Sequence, residues 1–377
     1  MFRSAAIKRI LALILVTAVA FAAASCDSGI FNAPSFGFPE ESEVVSEPSG
    51  SPEVSEISKI PVTAEVKAAV HFIDVGQGDS IFIELPGGKC MLIDCGERET
   101  VGRVVTYIDC LGYKTIDWLV VTHPHSDHMG GMSVVVESFG IGKIYMPDCA
   151  ADTDGFLNFL DAVEAKGLKI DEAAAGVDIG LGEGCEAHFL GPVGTEGFDL
   201  NNCSAVMKFV CGEKSFLFTG DAERAEEESI LKEYGEELEC DVLKAGHHGS
   251  RTSSSASFLK KCKASVAVIS CGADNSYGHP HEEALKRLEN AGIKTVWRTD
   301  ISGTVRIYTD GKELYTLLGT PGFDHNWVLN IAGKKIHAPG CSGAASMAER
   351  NRAYSVRTVA ELTALGYETC GSCKPKD

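Results

Sequence analysis

The segment from His123 to His128 constrains this chain more than any other part of its sequence. It reads His-Pro-His-Ser-Asp-His and directly follows the apolar, strand-like run 118–121. Side chains alternate along an extended chain, so we expect His123 and His125 to point one way while Asp127 and His128 turn toward a second position. Imidazoles with a carboxylate suit zinc, manganese or iron. The spacing therefore predicts two neighbouring metal positions at the edge of a sheet.

Two further strand ends carry side chains that can bind a metal ion. Asp221 follows the predicted strand 215–219, which suits a carboxylate that bridges two ions and also suits a helix N-cap. His247 and His248 follow another strand-like run, and we expect one of them to complete the second metal position. The other is expected to face the substrate or to bind a carboxylate. His279 precedes a predicted helix and is a candidate for substrate contact or proton transfer.

The first 26 residues predict an export signal. Basic residues precede the apolar run 10–24, and the small residues that follow end at Cys26. This pattern resembles the lipobox of bacterial lipoproteins, so we expect Cys26 to carry the lipid that anchors the protein at the extracellular face of the bacterial cell membrane. Simple secretion and an uncleaved anchor are the alternatives, although the run is short for a membrane span. Residues 27–65, rich in Ser, Pro and Glu, predict a disordered acidic linker.

The net charge of −19 argues against a broad basic face that binds duplex DNA tightly. The negative net charge does not exclude a phosphate substrate, because bound divalent ions would supply positive charge at the site of the reaction. Fourteen cysteines in an exported chain would ordinarily indicate disulfides. Many of them stand inside apolar strand-like runs, however, and we interpret these as small buried side chains.

Short apolar runs alternate with turn signals from residue 66 onward. Predicted strands cover 68–74, 80–85, 91–94, 118–121, 206–210, 215–219, 242–244, 266–269, 303–308 and 312–318. Predicted helices cover 101–111, 156–166 and 222–234. Sheets packed on each other with helices outside would accommodate this order.

Six motifs follow one another in a specific order: 72–80 (Phe-Ile-Asp-Val-Gly-Gln-Gly-Asp-Ser), 92–96, 123–128, 218–221, 243–250 and 277–280. Together they resemble the metallo-β-lactamase superfamily, and within it the extracellular hydrolase domain of ComEC-type DNA-uptake proteins. The resemblance implies an α/β fold, a four-layer αββα sandwich over residues 66–320. It also implies two divalent ions, zinc or manganese, at the edge of the two sheets.

The resemblance implies specific roles for residues of this sequence. The implied metal ligands are His123, His125, Asp127, His128, Asp221 and one of His247 and His248. The residues that match the first motifs are interpreted as groups that support the ligands or fix loops, and they are Asp74, Gln77, Asp79 and Asp94.

One departure from the wider superfamily bears on the substrate. Lactamases supply a third histidine to the first ion, but the only histidine in that interval here is His188, which lies in a strand-like run. The segment 201–204 stands in its place, with Asn202 and Ser204 as candidate substrate contacts. The first ion would therefore leave room for water or a phosphate oxygen, which weakens a lactamase assignment and favours phosphoesters.

The predicted chemistry is attack on phosphorus by a hydroxide held between the two ions. Asp127 would orient the water, and His279 or the free member of the pair His247 and His248 would protonate the leaving group. Candidate contacts at the rim are Ser250, Arg251 and Tyr277. The sequence thus predicts a phosphodiesterase or nuclease. Hydrolysis of choline-phosphate or another cell-wall ester, lactone or lactam hydrolysis, and DNA binding without cleavage are the alternatives.

Residues 324–377 change in character. A His-x₃-Cys pair, His337 and Cys341, precedes a Cys-x₂-Cys pair, Cys370 and Cys373. The arrangement resembles small zinc-binding modules such as the metal-binding domain of Ada, which implies one structural zinc on these four side chains. The alternative is a disulfide that involves Cys341, with His337 at the surface. No protein partner can be inferred from the sequence.

Overall fold

The structure is a computed structural model that describes residues 65–377. The predicted signal, the predicted lipidation site Cys26 and residues 27–64 of the predicted linker lie outside the described residues. Within the described part of the chain, no helix is both long enough and apolar enough to span a bilayer.

Nineteen strands and ten α-helices make up residues 65–377. The strands are β1 (Ala68–Phe72), β2 (Ile81–Glu84), β3 (Cys90–Ile93), β4 (Thr115–Val120), β5 (Gly140–Met146), β6 (Ile170–Glu172), β7 (Asp178–Gly182), β8 (Cys185–Gly191), β9 (Val206–Cys211), β10 (Lys214–Phe218), β11 (Val242–Lys244), β12 (Val266–Ile269), β13 (Thr295–Arg298), β14 (Val305–Thr309), β15 (Leu314–Leu318), β16 (Trp327–Asn330), β17 (Lys335–His337), β18 (Arg352–Ser355) and β19 (Glu368–Thr369). The helices are α1 (Val101–Cys110), α2 (Ser126–Met129), α3 (Met132–Ser138), α4 (Asp154–Ala165), α5 (Arg224–Tyr234), α6 (Ala256–Cys262), α7 (Glu282–Asn290), α8 (Thr299–Ser302), α9 (Ser342–Ala345) and α10 (Val359–Ala364).

Two large sheets pack face to face. The first has the order β15-β14-β1-β2-β3-β4-β5-β6, and the second has the order β13-β12-β11-β10-β9-β8-β7. Apolar side chains from both sheets form a common core, in which Phe72 of β1 and Phe218 of β10 lie with their ring centroids 6.2 Å apart. This packing requires apolar residues on the inner face of both sheets, which is why the buried strands are rich in Val, Ile and Phe.

Helices cover the outer face of each sheet. One apolar cluster packs α1, α3 and α4 on the first sheet, and another packs α5, α6 and α7 on the second. Thr153 and Ser255 fix the starts of α4 and α6, because each side chain accepts a hydrogen bond from a backbone N–H of the first turn. The four layers of the predicted αββα sandwich are therefore confirmed.

The C-terminal residues form a third sheet of order β18-β16-β17-β19. Its apolar residues, among them Leu329 and Ala353, join the core of the outer helices on the first sheet. A buried ion pair between Arg357 and Asp109 of α1 adds a polar contact at the same junction. The C-terminal sheet is thus packed onto the helices that cover the first sheet.

The sequence located most of the strands that border the site. The predicted hairpin 206–219 corresponds to β9 and β10, and the predicted helix 222–234 begins two residues later, at Arg224. The strands β5, β6, β7 and β13 were not predicted. β6 and β13 are short, and glycines occur within β5 (Gly-Ile-Gly-Lys-Ile-Tyr-Met) and β7 (Asp-Ile-Gly-Leu-Gly), which weakens the strand signal of these runs.

The start of α5 depends on a residue from a distant loop. The side-chain oxygen of Asn202 accepts hydrogen bonds from the backbone N–H groups of Glu223 (3.2 Å) and Glu226 (3.1 Å). The carboxyl group of Glu226 is fully buried, and one of its oxygens accepts a hydrogen bond from the backbone N–H of Val193 at 2.9 Å. Burial raises the pKa of Glu226 to about 8.

This shift predicts how stability depends on pH. The carboxyl group of Glu226 ionises near pH 4.5 in the unfolded chain and near pH 8 in the folded chain. The stability that its protonated form contributes is therefore complete below pH 4.5 and is lost as the pH rises to 8. Glu226→Gln stays neutral. We expect it to match the native protein at low pH and to gain up to about 5 kcal/mol relative to it above pH 8.

Urea unfolding of both proteins at several pH values measures this difference. Glu228→Gln, an exposed position on the same helix, is the matched control and should show no such gain. If native protein and Glu226→Gln lose stability in parallel as the pH rises, the carboxyl group is ionised in the folded state and the prediction is wrong.

Candidate metal centre

Four strand ends bring the site together. The strands β3 and β4 run parallel, as do β10 and β11, so their carboxyl ends lie at a common edge of the sandwich. Asp94 follows β3 and the histidine loop follows β4, whereas Asp221 follows β10 and His248 follows β11. Residues far apart in sequence therefore meet because parallel strands end together.

The first group of candidate ligands consists of His128, His248 and Asp221, all buried. The Nε2 atoms of the two imidazoles lie 3.2 Å apart, and His128 Nε2 is 3.2 Å from an Asp221 oxygen. His128 Nδ1 donates to Asp94 at 2.7 Å, and His248 Nδ1 donates to the carbonyl of Ser270 at 2.9 Å. Both rings thus direct their Nε2 atoms at the same point, as metal-binding histidines do.

The second group lies beside the first. His123 Nε2 is 2.9 Å from His125 Nδ1 and 3.9 Å from an oxygen of Asp221. His123 is buried, and its other ring nitrogen lies 3.3 Å from the hydroxyl oxygen of Ser204. Asp221 stands between the two groups, so its carboxylate would be available to an ion held by either one.

Unpaired buried oxygens test whether metal ions fit these groups. Within the described residues, one oxygen of Asp221 and one of Asp79 are buried without a hydrogen-bond partner. The ligand atoms of Asp79, His128, Asp221 and His248 lie within 4.8 Å of one another. Facing ring nitrogens and unpaired carboxylate oxygens are the donor set of a divalent cation, so Asp79, His128, Asp221 and His248 fit one such ion.

Asp79 differs from its expected role. We interpreted it as a supporting group, but its carboxylate lies within the cluster of candidate ligands. Its second oxygen forms an ion pair of 2.8 Å with Lys244, whose side chain is fully buried. Burial opposes charge on Asp79, yet Lys244 and His248 outweigh it and hold its pKa at about 2.

The electrostatic field of the cluster favours a cation. Burial opposes charge on His248, but the carboxylates of Asp221 and Asp127 raise its pKa well above the usual value. His128 and His248 in turn hold the pKa of Asp221 well below its usual value. Two Nε2 protons do not fit into the 3.2 Å between the rings, whereas one metal ion satisfies both nitrogens and the carboxylates.

The structure distinguishes His247 from His248. His248 belongs to the buried cluster, and its Nε2 also lies 3.2 Å from Asp127. His247 is 22% exposed, its Nδ1 lies 3.0 Å from Glu223, and its Nε2 is 3.6 Å from Asp221. Both residues have left-handed backbone angles, with φ of 48° and 54°, so the alternation of a strand does not apply to them. His248 is the candidate ligand, and His247 faces the cavity.

A cavity of about 230 Å³ opens in front of the cluster. Its wall includes Gln77, Asn201, His247, Tyr277 and His279. The ring of Tyr277 is 64% exposed and stacks on His279 with the centroids 5.7 Å apart. A larger cleft of about 550 Å³ lies between α1 and the C-terminal sheet, and none of the candidate metal ligands lines it.

The other predicted site residues have varied positions. Asp94 holds His128, Asp74 accepts a hydrogen bond from the N–H of Gly76, and Gln77 accepts one from the N–H of Gly272. Arg251 is exposed beside His281. Asp94 thus contacts a candidate ligand, whereas Asp74 and Gln77 contact backbone groups of loops.

Three predicted substrate contacts are instead engaged within the protein. Asn202 caps α5, Ser204 accepts a hydrogen bond from the backbone N–H of Asp221 at 3.0 Å, and Ser250 is buried with its hydroxyl 2.9 Å from that of Thr252. These residues hold the loops around the cluster, and the structure gives them no direct access to a substrate.

Sequence reasoning missed two polar residues beside the site. Lys244 ends the apolar strand β11, where a lysine requires a buried acidic partner, and this was the available signal. Glu223 receives hydrogen bonds from Asn201 and Thr252 and holds His247. Nothing in the local sequence distinguishes Glu223 from the other acidic residues at the start of α5.

The C-terminal sheet carries a second cluster. The ligand atoms of His337, Cys341, Cys370 and Cys373 lie within 4.8 Å of one another. His337 ends β17 and Cys370 follows β19, its parallel neighbour, so the two strands bring both halves of the motif together. Hydrogen bonds from the backbone N–H groups of Cys373 and Ser372 lower the pKa of Cys370 to about 7. The cluster could hold a metal ion.

The sequence matches the metallo-beta-lactamase superfamily over residues 73–273. It is 30% identical over 254 residues to ComE operon protein 3 of Bacillus subtilis (strain 168), a match that covers 63% of this chain and 32% of that protein. It is 34% identical over 243 residues to competence protein ComA of Neisseria gonorrhoeae, covering 64% of this chain and 32% of that protein. The chain thus spans about a third of the length of these relatives.

Among solved structures, the metallo-beta-lactamase fold protein YhfI from Bacillus subtilis aligns with a TM-score of 0.42 and 14% identity. The alignment covers 61% of this chain and 96% of that one.

The fold and the histidine–aspartate cluster define a metallo-hydrolase. The chain belongs to the metallo-β-lactamase superfamily, and its relatives are of the ComEC type.

The different positions of His247 and His248 predict different effects on metal binding. We expect His248→Ala to weaken the binding of Mn²⁺ or Zn²⁺ at this site by at least about tenfold, because it removes a buried ring nitrogen that faces His128. His247→Ala is the matched control and should change the affinity much less. Titration against a chelating dye measures both. Equal losses in the two variants would contradict the assignment.

Proposed function

We propose that this protein is a metal-dependent phosphodiesterase that acts on nucleic acid. The observation that carries the proposal is the ligand set beside His123 and His125. The only histidine between that loop and Asp221 is His188, which lies on β8 with its ring 3.4 Å from Glu237. The segment between that loop and Asp221 therefore supplies no imidazole to this position. A position with few protein ligands leaves space for a phosphate oxygen.

The candidate ligands would hold two divalent ions, one beside His123 and His125 and one between His128 and His248. When bound, the ions supply positive charge that attracts a phosphodiester and acidifies a water molecule. The net charge of −19 makes this contribution necessary, since the chain itself repels a polyanion.

Side chains of the cavity would position the substrate and move protons. Glu223 fixes the ring of His247 at 3.0 Å, which leaves the other ring nitrogen directed toward Asp221 and the cavity. This geometry suits proton delivery to a leaving alkoxide, while Asp127 would orient the attacking water. Burial and the neighbouring imidazoles lower the pKa of His279 to about 4. His279 is therefore neutral at pH 7 and suits hydrogen bonding better than the proton donation predicted for it.

The rim of the cavity suits a single strand of nucleic acid. The exposed ring of Tyr277, supported by His279, offers a flat surface on which a base can stack without regard to sequence. Arg251 is exposed nearby and provides a donor for a phosphate. The names of the relatives, which include a competence protein, support a substrate of this class.

The proposed location is the outer face of the cell membrane. It rests on the signal in residues 1–26 and on a lipid at Cys26, which the sequence predicts.

The test is hydrolysis by the purified chain with Mn²⁺ or Zn²⁺. The panel contains single-stranded DNA, duplex DNA, RNA and bis-(p-nitrophenyl) phosphate, with a choline-phosphate ester and a β-lactam for comparison. We expect cleavage of single-stranded DNA and of the small diester, abolished by a chelator and reduced about 100-fold or more in Asp221→Asn.

Asp178→Asn, at an exposed position on the edge strand β7, is the matched control and should retain full activity. If only the choline-phosphate ester or the β-lactam is hydrolysed, the substrate class is wrong. If nothing in the panel is cleaved while both ions are bound, the proposed activity is wrong.

We further propose that His337, Cys341, Cys370 and Cys373 bind a structural zinc ion. One nitrogen and three sulfur donors form a ligand set for tetrahedral zinc, and the segment around them is too short for a core of its own. Cys373→Ser is expected to remove one zinc per chain and to lower the thermal midpoint by about 5 °C or more. Elemental analysis and thermal unfolding measure the two effects.

Cys110→Ser, at a half-buried position on α1, is the control and should retain the zinc. If the native chain contains no zinc at this cluster and lacks two free thiols there, the cysteines form a disulfide and the zinc proposal fails.

A further inference from the structure

The side chain of Asn201 lines the cavity in front of the metal centre, together with His125 and Asp221. Its Nδ2 donates a hydrogen bond to the carboxylate of Glu223 at 3.2 Å. The reversed carboxamide would bring two oxygen atoms into contact, so this bond fixes which end of the group is the oxygen. Within the described residues, that oxygen is buried and has no hydrogen-bond partner. A buried acceptor without a partner is costly, which indicates that a further group binds to it.

The loop that carries Asn201 is held against the first group of candidate ligands. The backbone N–H of Ala205 donates at 2.9 Å to the carbonyl of the residue before His123. The N–H of Ser204 donates to the carbonyl of Asn201 at 3.0 Å, so the chain makes a tight turn that keeps these two residues together. The Ser204 hydroxyl oxygen lies 3.3 Å from His123 and accepts the N–H of Asp221 at 3.0 Å. Asn201 therefore stands at the end of the cavity that belongs to His123.

The unpartnered oxygen has the chemistry of a metal ligand. A carboxamide oxygen is a neutral, hard donor of the kind that binds Mn²⁺, Mg²⁺ and Ca²⁺. His123, His125 and Asp221 already bring two ring nitrogens and a carboxylate to the same end of the cavity. One more oxygen donor gives a mixed set of nitrogen and oxygen atoms, and such a set is less specific for zinc than a set completed by a third imidazole.

We propose that Asn201 Oδ1 binds the metal ion held beside His123 and His125, and that it shifts the preference of this position from Zn²⁺ toward Mn²⁺. The inference rests on the two-ion site of the proposed function. Four protein donors are fewer than the six that Mn²⁺ commonly takes, so space remains for water or a phosphate oxygen.

Asn201→Leu tests the proposal, because leucine has nearly the size of asparagine and lacks the oxygen. Calorimetric titration of the metal-free full-length chain with Mn²⁺ measures the affinity of both ions. We expect the affinity of one ion to fall by at least about tenfold and that of the other to stay unchanged. Asn158→Leu, at an exposed position on α4, is the matched control and should bind Mn²⁺ as the native chain does.

Anomalous diffraction from crystals of Asn201→Leu shows which ion is affected. At a Mn²⁺ concentration that just saturates the native chain, the peak beside His123 and His125 should weaken, and the peak between His128 and His248 should remain. Equal Mn²⁺ affinities in the native chain and in the variant would overturn the proposal. Loss of both peaks would also overturn it, since it would show that Asn201 only supports the fold of the site.

Asn201→His separates a ligand from a residue that merely holds its loop. The variant offers an imidazole in place of the oxygen, and imidazole donors suit zinc. We expect the ratio of Zn²⁺ affinity to Mn²⁺ affinity at this position to rise by at least about tenfold. A variant that weakens both ions equally, with the ratio unchanged, would contradict a direct contact between residue 201 and the ion.

Failure of this inference can be distinguished from failure of the proposed function. If the native chain binds no ion beside His123 and His125, both the inference and the two-ion site are wrong. If it binds both ions and Asn201→Leu changes nothing, only the inference is wrong. If Asn201→Leu behaves as expected and the native chain with both ions cleaves no phosphoester, only the proposed activity is wrong.

Discussion

The carboxylate of Asp221 is the constraint on which the rest of this structure depends. It is buried between two groups of imidazoles, and within the described residues one of its oxygens has no hydrogen-bond partner. A buried carboxylate that lacks a partner is strongly destabilising unless a cation neutralises it. The Nε2 atoms of His128 and His248 face it at 3.2 and 3.4 Å, and neither atom is occupied by another hydrogen bond to the backbone. The arrangement is therefore one that a metal ion completes.

The parallel strands β3, β4, β10 and β11 end at one edge of the sandwich and so bring the candidate ligands together. Polar groups around the cluster hold these ligands in place. Asp94 orients His128, Ser270 orients His248, and Ser204 supports both His123 and the backbone of Asp221.

The sequence predicted the sandwich and the candidate ligands because each motif is local and follows an apolar strand. It did not distinguish His247 from His248, since the choice depends on left-handed backbone angles after β11 that strand periodicity does not reveal. It missed the ion pair between Lys244 and Asp79, whose partners are separated by most of the domain and meet only where the two sheets face each other. For the same reason, Cys185 and Cys211, which face each other on β8 and β9, were interpreted only as buried side chains. Long-range contacts of this kind require the packed fold.

Anomalous diffraction from crystals equilibrated with Mn²⁺ tests the central claim most directly. The account predicts two peaks at the sheet edge, one between the imidazoles of His128 and His248 and one beside His123 and His125, with Asp221 in contact with both. An edge that contains no anomalous scatterer at saturating Mn²⁺, with the imidazoles hydrogen-bonded to water instead, would contradict the account.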